Sequence, residues 1–91
     1  MHPGEWLNET YLIPLEIPAY KVAEALDVAP STFSRILNGK ASISADMAIR
    51  LSRVLGRSPE SWIVMQSNWD LWQASQKNSH EDLKRLPALV T

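Results

Sequence analysis

The stretch AYKVAEALDVAPSTFSRILNG, Ala19 to Gly39, decides the fold. Val22, Ala23 and Leu26 make the i, i+1, i+4 apolar face of a core-packed helix over roughly Ala19 to Leu26, with Lys21 and Glu24 facing outward. Asp27 sits at the turn. Pro30 opens a second helix, where its missing N–H costs nothing in the first turn. Phe33, Ile36 and Leu37 point inward, and Asn38-Gly39 is a left-handed stop signal. Two helices of about eight residues joined by so tight a turn have the dimensions of a helix-turn-helix, here Ala19–Asn38. The small Ala23 sits where the two helices cross, and Val22, Leu26, Val28, Phe33 and Ile36 fill the angle between them.

The flanks read as helices too. A first helix is expected from about Gly4 to Leu12, with Leu7 and Tyr11 on one side and Trp6, Thr10 and Ile13 on an adjoining one. Pro14 disfavours helical geometry at Ile13 and ends the run. Ser44 caps a fourth helix carrying Met47, Ala48, Leu51, Val54 and Leu55 inward, with Asp46 in its first turn and Gly56 at its end. Ser58-Pro59-Glu60 opens a fifth helix to about Ser75. The tail from Gln76 is polar apart from its final Leu-Pro-Ala-Leu-Val and is expected to be loosely held. Five short helices with turns of a few residues mean one all-α bundle over 1–75 and a tail over 76–91.

Ninety-one residues, 45% hydrophobic and 21% charged, suffice for one modest core and rule out a disordered chain. The absence of cysteine excludes disulfides and thiolate metal sites. No apolar run reaches membrane-spanning length, and the first residues lack the basic and apolar regions of a signal peptide, so a cytoplasmic location is expected. The net charge of −1 hides an uneven distribution. Residues 1–18 hold three acids and no base. Residues 19–57 hold six bases (Lys21, Arg35, Lys40, Arg50, Arg53, Arg57) against three acids, and 58–91 hold three bases against four acids. A basic middle within an acidic whole suits a protein that meets a polyanion on one face.

With its apolar positions spent, the second helix of the motif has a free outer face of Ser31, Thr32, Ser34, Arg35 and Asn38. Such a face is suited to the major groove. Arg35 can bind guanine through two donors and Asn38 can pair with adenine. Ser31, Thr32 and Ser34 are small enough to let the helix sit deep, and they can donate to phosphate oxygens, as can Lys21 and Lys40 at the edges. The plainer alternative is two amphipathic helices of an ordinary bundle; the crossing alanine, the apolar wedge and the Asn-Gly stop favour the DNA reader.

On the fifth helix, Trp62, Met65, Trp69 and Trp72 recur at +3, +4 and +3, while Ile63, Val64 and Leu71 lie elsewhere around it. Apolar residues on more than one side point either to a central core helix or to a helix with one side inward and the other, Trp62, Met65, Trp69 and Trp72, against a second copy. A homodimer would place two recognition helices in successive major grooves of a palindromic operator.

Beyond the motif itself, the chain resembles the HigA-type antitoxins, a branch of the lambda-repressor-like helix-turn-helix proteins. The likeness lies in His2-Pro3-Gly4-Glu5, Pro14-Leu15, Tyr20-Lys21-Val22-Ala23, Asn38-Gly39-Lys40, Ile43-Ser44-Ala45-Asp46, Ala48-Ile49-Arg50-Leu51, Ser58-Pro59-Glu60-Ser61-Trp62 and Trp69-Asp70-Leu71-Trp72. It runs in order and spacing from Met1 to about Ala74. The resemblance implies a five-helix bundle and a cytoplasmic homodimer that represses its own operon. It also implies neutralisation of a small RNA-cleaving toxin encoded beside it, with Ser31, Thr32, Ser34, Arg35 and Asn38 facing the operator. Three positions depart from the family pattern: Ala19 stands where many relatives have glutamine, Asp27 where glycine is frequent, and Ala29 where Ser or Thr usually caps.

An enzyme is the reading least supported. His2 and His80 lie far apart with no metal-binding spacing and are expected in solvent. No nucleophile elbow or phosphate-binding glycine loop is present, and Asp70 and Glu60 read as surface or capping residues. No cofactor or metal is expected. Besides the antitoxin, a stand-alone repressor without a toxin and a protein-binding adaptor without DNA contact remain open.

Overall fold

A computed structural model of the protein describes residues 1–89, whose regular elements are all helices. The helices are α1 (Pro3–Leu7), α2 (Ala19–Leu26), α3 (Pro30–Leu37), α4 (Ala45–Val54) and α5 (Pro59–Lys77). A short 3-10 turn follows at Pro87–Leu89. The end of the apolar terminal segment, Val90, lies outside the described residues with Thr91.

The core is one cluster: Leu7, Leu12, Val22, Ala23, Leu26, Phe33, Ile36, Ile43, Met47, Ala48, Leu51 and Trp62. Helices α2 and α3 cross on the fully buried Ala23, with Val22, Leu26, Phe33 and Ile36 closing the angle as the sequence predicts and Val28 half-buried beside them. Helix α4 packs on both α2 and α5, and α1 on both α3 and α5. Ser44 caps α4 by accepting from the Met47 N–H, and Ser58 caps α5 by accepting from the Ser61 N–H. Helix α5 runs two residues past its expected end, to Lys77. The residues from Leu71 through Leu89 are exposed, so the end of α5 and the tail form a projecting arm on a molecule 55 Å long and 23 Å across.

Three expectations are corrected. The first is the uninterrupted helix over Gly4 to Leu12: α1 gives way at Asn8 to a π-helical turn, Asn8–Leu12, in which the Ile13 N–H donates five residues back to Asn8. The wider turn advances the buried register by one residue. Leu12, five residues after Leu7, is buried with it, whereas Tyr11 is only half-buried and Ile13 is exposed. The second concerns Trp62, which has no exposed surface. Its ring lies near Trp6 and Tyr11, at centroid distances of 5.8 and 6.3 Å, and its indole N–H donates to the Gly56 carbonyl at 3.1 Å. Trp62 therefore belongs to the protomer core and has no side left for a second copy.

The third correction is His2, expected in solvent but only 6% exposed. It is the N-cap of α1: the Gly4 N–H donates to its Nδ1 at 2.9 Å. That contact requires the neutral tautomer with the proton on Nε2. His80, in the tail, is exposed as expected.

Candidate nucleic-acid interface

Helix α3 presents Ser31, Thr32, Ser34 and Arg35 as exposed side chains on one outer surface, opposite the buried Phe33 and Ile36. Asn38, the C-cap, is also exposed; its amide nitrogen donates to the Ser34 hydroxyl at a long 3.3 Å, a bond weak enough to exchange for a base edge. The helix then closes on Gly39, at φ +73°. The Lys40 N–H donates to the Arg35 carbonyl (2.8 Å) and the Gly39 N–H to the Ile36 carbonyl (3.1 Å). This paired closure is the Schellman arrangement, and it fixes the backbone from which Lys40 projects.

Lys21 is exposed on α2. Among the described residues, Lys21, Arg35 and Lys40 make no ion pair; the pair that is present joins Arg50 to Asp46. The three cations flanking and crossing α3 are therefore available to an anion without breaking an internal contact. The structure brings Ser31, Thr32, Ser34, Arg35, Asn38 and Lys40 together on one helix and its exit, with Lys21 on the preceding helix.

Four further residues hold this surface in place. Arg50 of α4 is a brace: its Nη1 donates to the Leu26 carbonyl (2.7 Å) and the Asp27 carbonyl (3.2 Å), while its Nε donates to Asp46 (2.8 Å). The Asp46 carboxylate, hydrogen-bonded to it, raises the guanidinium pKa further. The brace satisfies carbonyls at the end of α2, where Asp27 takes the left-handed conformation (φ 58°, ψ 47°) in place of a glycine. Gln66 of α5 is buried. Its Oε1 accepts from the Ile43 N–H (2.8 Å) and its Nε2 donates to Asp70 (3.0 Å), tying the α3–α4 loop to α5. Gly4 sits so close to the Ile36 carbonyl that a β-carbon there would collide with it. His2 packs its ring on Gly39 and edge-on against Trp69, at a centroid distance of 5.6 Å.

Sequence reasoning missed these roles, although two left a trace. His2 precedes a proline at N1 and an acid in the first turn, as a cap does. Gln66 interrupts the apolar stripe between Trp62 and Trp69, where an uncharged amide signals a buried hydrogen bond. The local Asp46–Arg50 spacing shows only an ion pair; nothing local marks the brace, whose carbonyl partners lie 23 and 24 residues away.

Two apolar surfaces flank α5. One is a groove of about 300 Å³ lined by Met1, Met65, Asn68, Trp69 and Trp72. Trp69 and Trp72 lie 5.4 Å apart between ring centroids there, and Trp72 is 54% exposed. The other, unforeseen, is a groove of about 550 Å³ between α4 and the start of α5, where Ile49 and Val64 are exposed beside Ile63 and Pro59. Neither involves the outer face of α3.

A small all-helical body that sets an exposed, cation-bearing helix across a tight turn from its buried partner is a protein of the helix-turn-helix class. The family model described as Helix-turn-helix matches residues 11–62. The chain is 42% identical over 89 residues to the HTH-type transcriptional regulator YddM of Escherichia coli K12, covering 98% of this chain and 90% of that protein. It is 36% identical over 78 residues to antitoxin HigA-1 of Vibrio cholerae, covering 86% and 73% respectively. Among solved structures it is similar to the Pseudomonas aeruginosa antitoxin HigA with the higBA promoter, at a TM-score of 0.87 and 34% identity, covering 99% of this chain and 98% of that one. The chain belongs to the HigA-type antitoxins of the helix-turn-helix family.

Proposed function

We propose that this protein is a DNA-binding antitoxin that represses its own operon and neutralises a cognate toxin, a small RNA-cleaving protein encoded beside it. The observation that carries the DNA half is the outer face of α3, where Arg35, without an ion pair among the described residues, stands amid small hydroxyl side chains on a helix closed by paired hydrogen bonds. Arg35 and Asn38 read base edges; Ser31, Thr32, Ser34, Lys21 and Lys40 hold phosphates. The solved relative with its promoter supports promoter DNA as the partner. The protein works as a cytoplasmic homodimer on a palindromic site, since one short helix bearing one arginine reads too few bases alone. Met65, Trp69 and Trp72 form the dimer contact, and their exposed apolar surface supports that placement. Among the described residues no helix is long and apolar enough to cross a membrane.

The test is co-expression with the neighbouring small reading frame, followed by operator binding. Growth arrest by the neighbour, relieved by this chain in a stable complex, is the expected result. The chain is expected to bind its own promoter, with affinity falling steeply as salt rises. A harmless, unbound neighbour would leave a plain repressor; failure to bind the promoter as well would leave only a protein-binding adaptor.

A further inference from the structure

We propose that His2 is a positioning residue for DNA reading, its neutral imidazole wedged between α5 and the exit of the recognition helix. This rests on the DNA-reading role of α3 proposed above. The imidazole does three things at once. Its Nδ1 caps α1, its side chain lies where a β-carbon on Gly39 would touch it at the closure of α3, and its ring meets Trp69 of α5 in a T-shaped arrangement. Two residues on, Gly4 packs directly on the Ile36 carbonyl. The first turn of α1 thus clamps the last turn of α3, from Ile36 to Gly39, immediately beside Asn38 and Lys40. A shift of that turn would displace the two DNA-facing side chains at its end without unfolding the helix.

The clamp works in one protonation state. A proton on Nδ1 replaces the acceptor with a donor facing the Gly4 N–H, and the cap is lost. The charges of Asp70 on α5 and Glu5 on α1 favour an imidazolium, while that of the Met1 ammonium opposes it. The exposed Lys40 follows Gly39 in the chain. Burial already disfavours the charged form, holding the imidazole pKa below its ordinary value. The DNA-reading conformation is therefore the one with His2 neutral, and acid weakens it.

The experiment measures operator affinity of the full chain at pH 7.5 and at about pH 5.5, with circular dichroism checking that it stays folded. The parent is expected to lose affinity on acidification, by about tenfold at most over this interval, because one linked proton acts fully only below an imidazole pKa that itself lies under about 6.5. Added positive charge alone would strengthen DNA binding, so the sign separates the two effects. His2→Asn keeps a capping acceptor but removes the ring; it is expected to bind several-fold more weakly at pH 7.5 and to lose the acid dependence. His80→Asn, in the tail, should leave the profile unchanged. Independently of DNA, the Gly39 and Lys40 amide resonances should shift with the His2 titration in the parent and not in His2→Asn. Parent affinity that holds or rises at low pH, an unchanged profile in His2→Asn, or Gly39 and Lys40 amides that ignore the titration would each overturn the proposal. A parent that never binds its promoter would sink the DNA-reading role instead, and the amide titration would still decide the His2 contact.

Discussion

At the residue scale, the smallest side chain in the first helix carries one of the largest constraints. Gly4 faces the Ile36 carbonyl with no room for a methyl group, and the obstacle is backbone, which cannot swing aside. Gly4→Ala is expected to cost about 3 kcal/mol or more, a large share of the stability of a domain this size, and thermal melting would show it. His2 makes a second constraint that depends on pH. Its pKa is lowered on folding, so the unfolded chain takes up the proton more readily. Its contribution is fully present above the unfolded value of about 6.5 and is lost as pH falls through the lower folded value. Denaturant midpoints measured between pH 8 and pH 5 should therefore fall on the acid side in the parent, and fall less in His2→Asn. Arg50 acts at the other end of α3 by a different means, tying α4 to the carbonyls that the left-handed Asp27 leaves at the end of α2.

At the scale of the element, most of the bundle was legible because each helix carries its own start and stop. Ser44 and Ser58 cap as their position before an apolar run suggests, and Asn38-Gly39 ends α3 with both closing hydrogen bonds in place. The π-helical turn after α1 was not legible. The spacing of Leu7 and Tyr11 fits an ordinary helix, and only the fold shows that Tyr11 stays half-buried beside Trp6 and Trp62 while Leu12 takes the core place. The outer face of α3 could be read by elimination once its apolar residues were assigned; the residues that steady it could not, because they come from α1, α4 and α5. The recognition helix also starts poorly: Ala29 is its N-cap and offers no side-chain acceptor. Ala29→Ser is expected to add about 1 kcal/mol and raise the melting temperature by about 4–8 °C, without changing the residues that face DNA. Arg35→Ala should leave melting unaltered and cost about 1–3 kcal/mol in promoter binding, with relaxed preference at one base pair. Equal binding by variant and parent would mean that another surface reads DNA.

For the whole molecule, the proposed dimer has to be built from bodies with a 23 Å cross-section and a projecting α5. The apolar pattern of α5 marks two sides but cannot apportion them, since burial of Trp62 depends on Trp6 and Tyr11, both distant along the chain. With Trp62 internal, Trp72→Glu is the informative substitution: it adds charge to an exposed position and should convert dimers to monomers by light scattering while the helical signal persists. Monomers from Ile49→Glu, with Trp72→Glu still dimeric, would move the contact to the α4–α5 groove. The four tryptophans add an optical consequence. Trp62 is sealed in apolar surroundings, Trp6 and Trp69 are half-covered, and Trp72 stands in water. Long-wavelength excitation therefore selects the wet indole, whose emission should move to the blue when a partner covers it. The short-wavelength side of the spectrum follows Trp62 and stays put until the core opens, so one cuvette separates association from unfolding by colour.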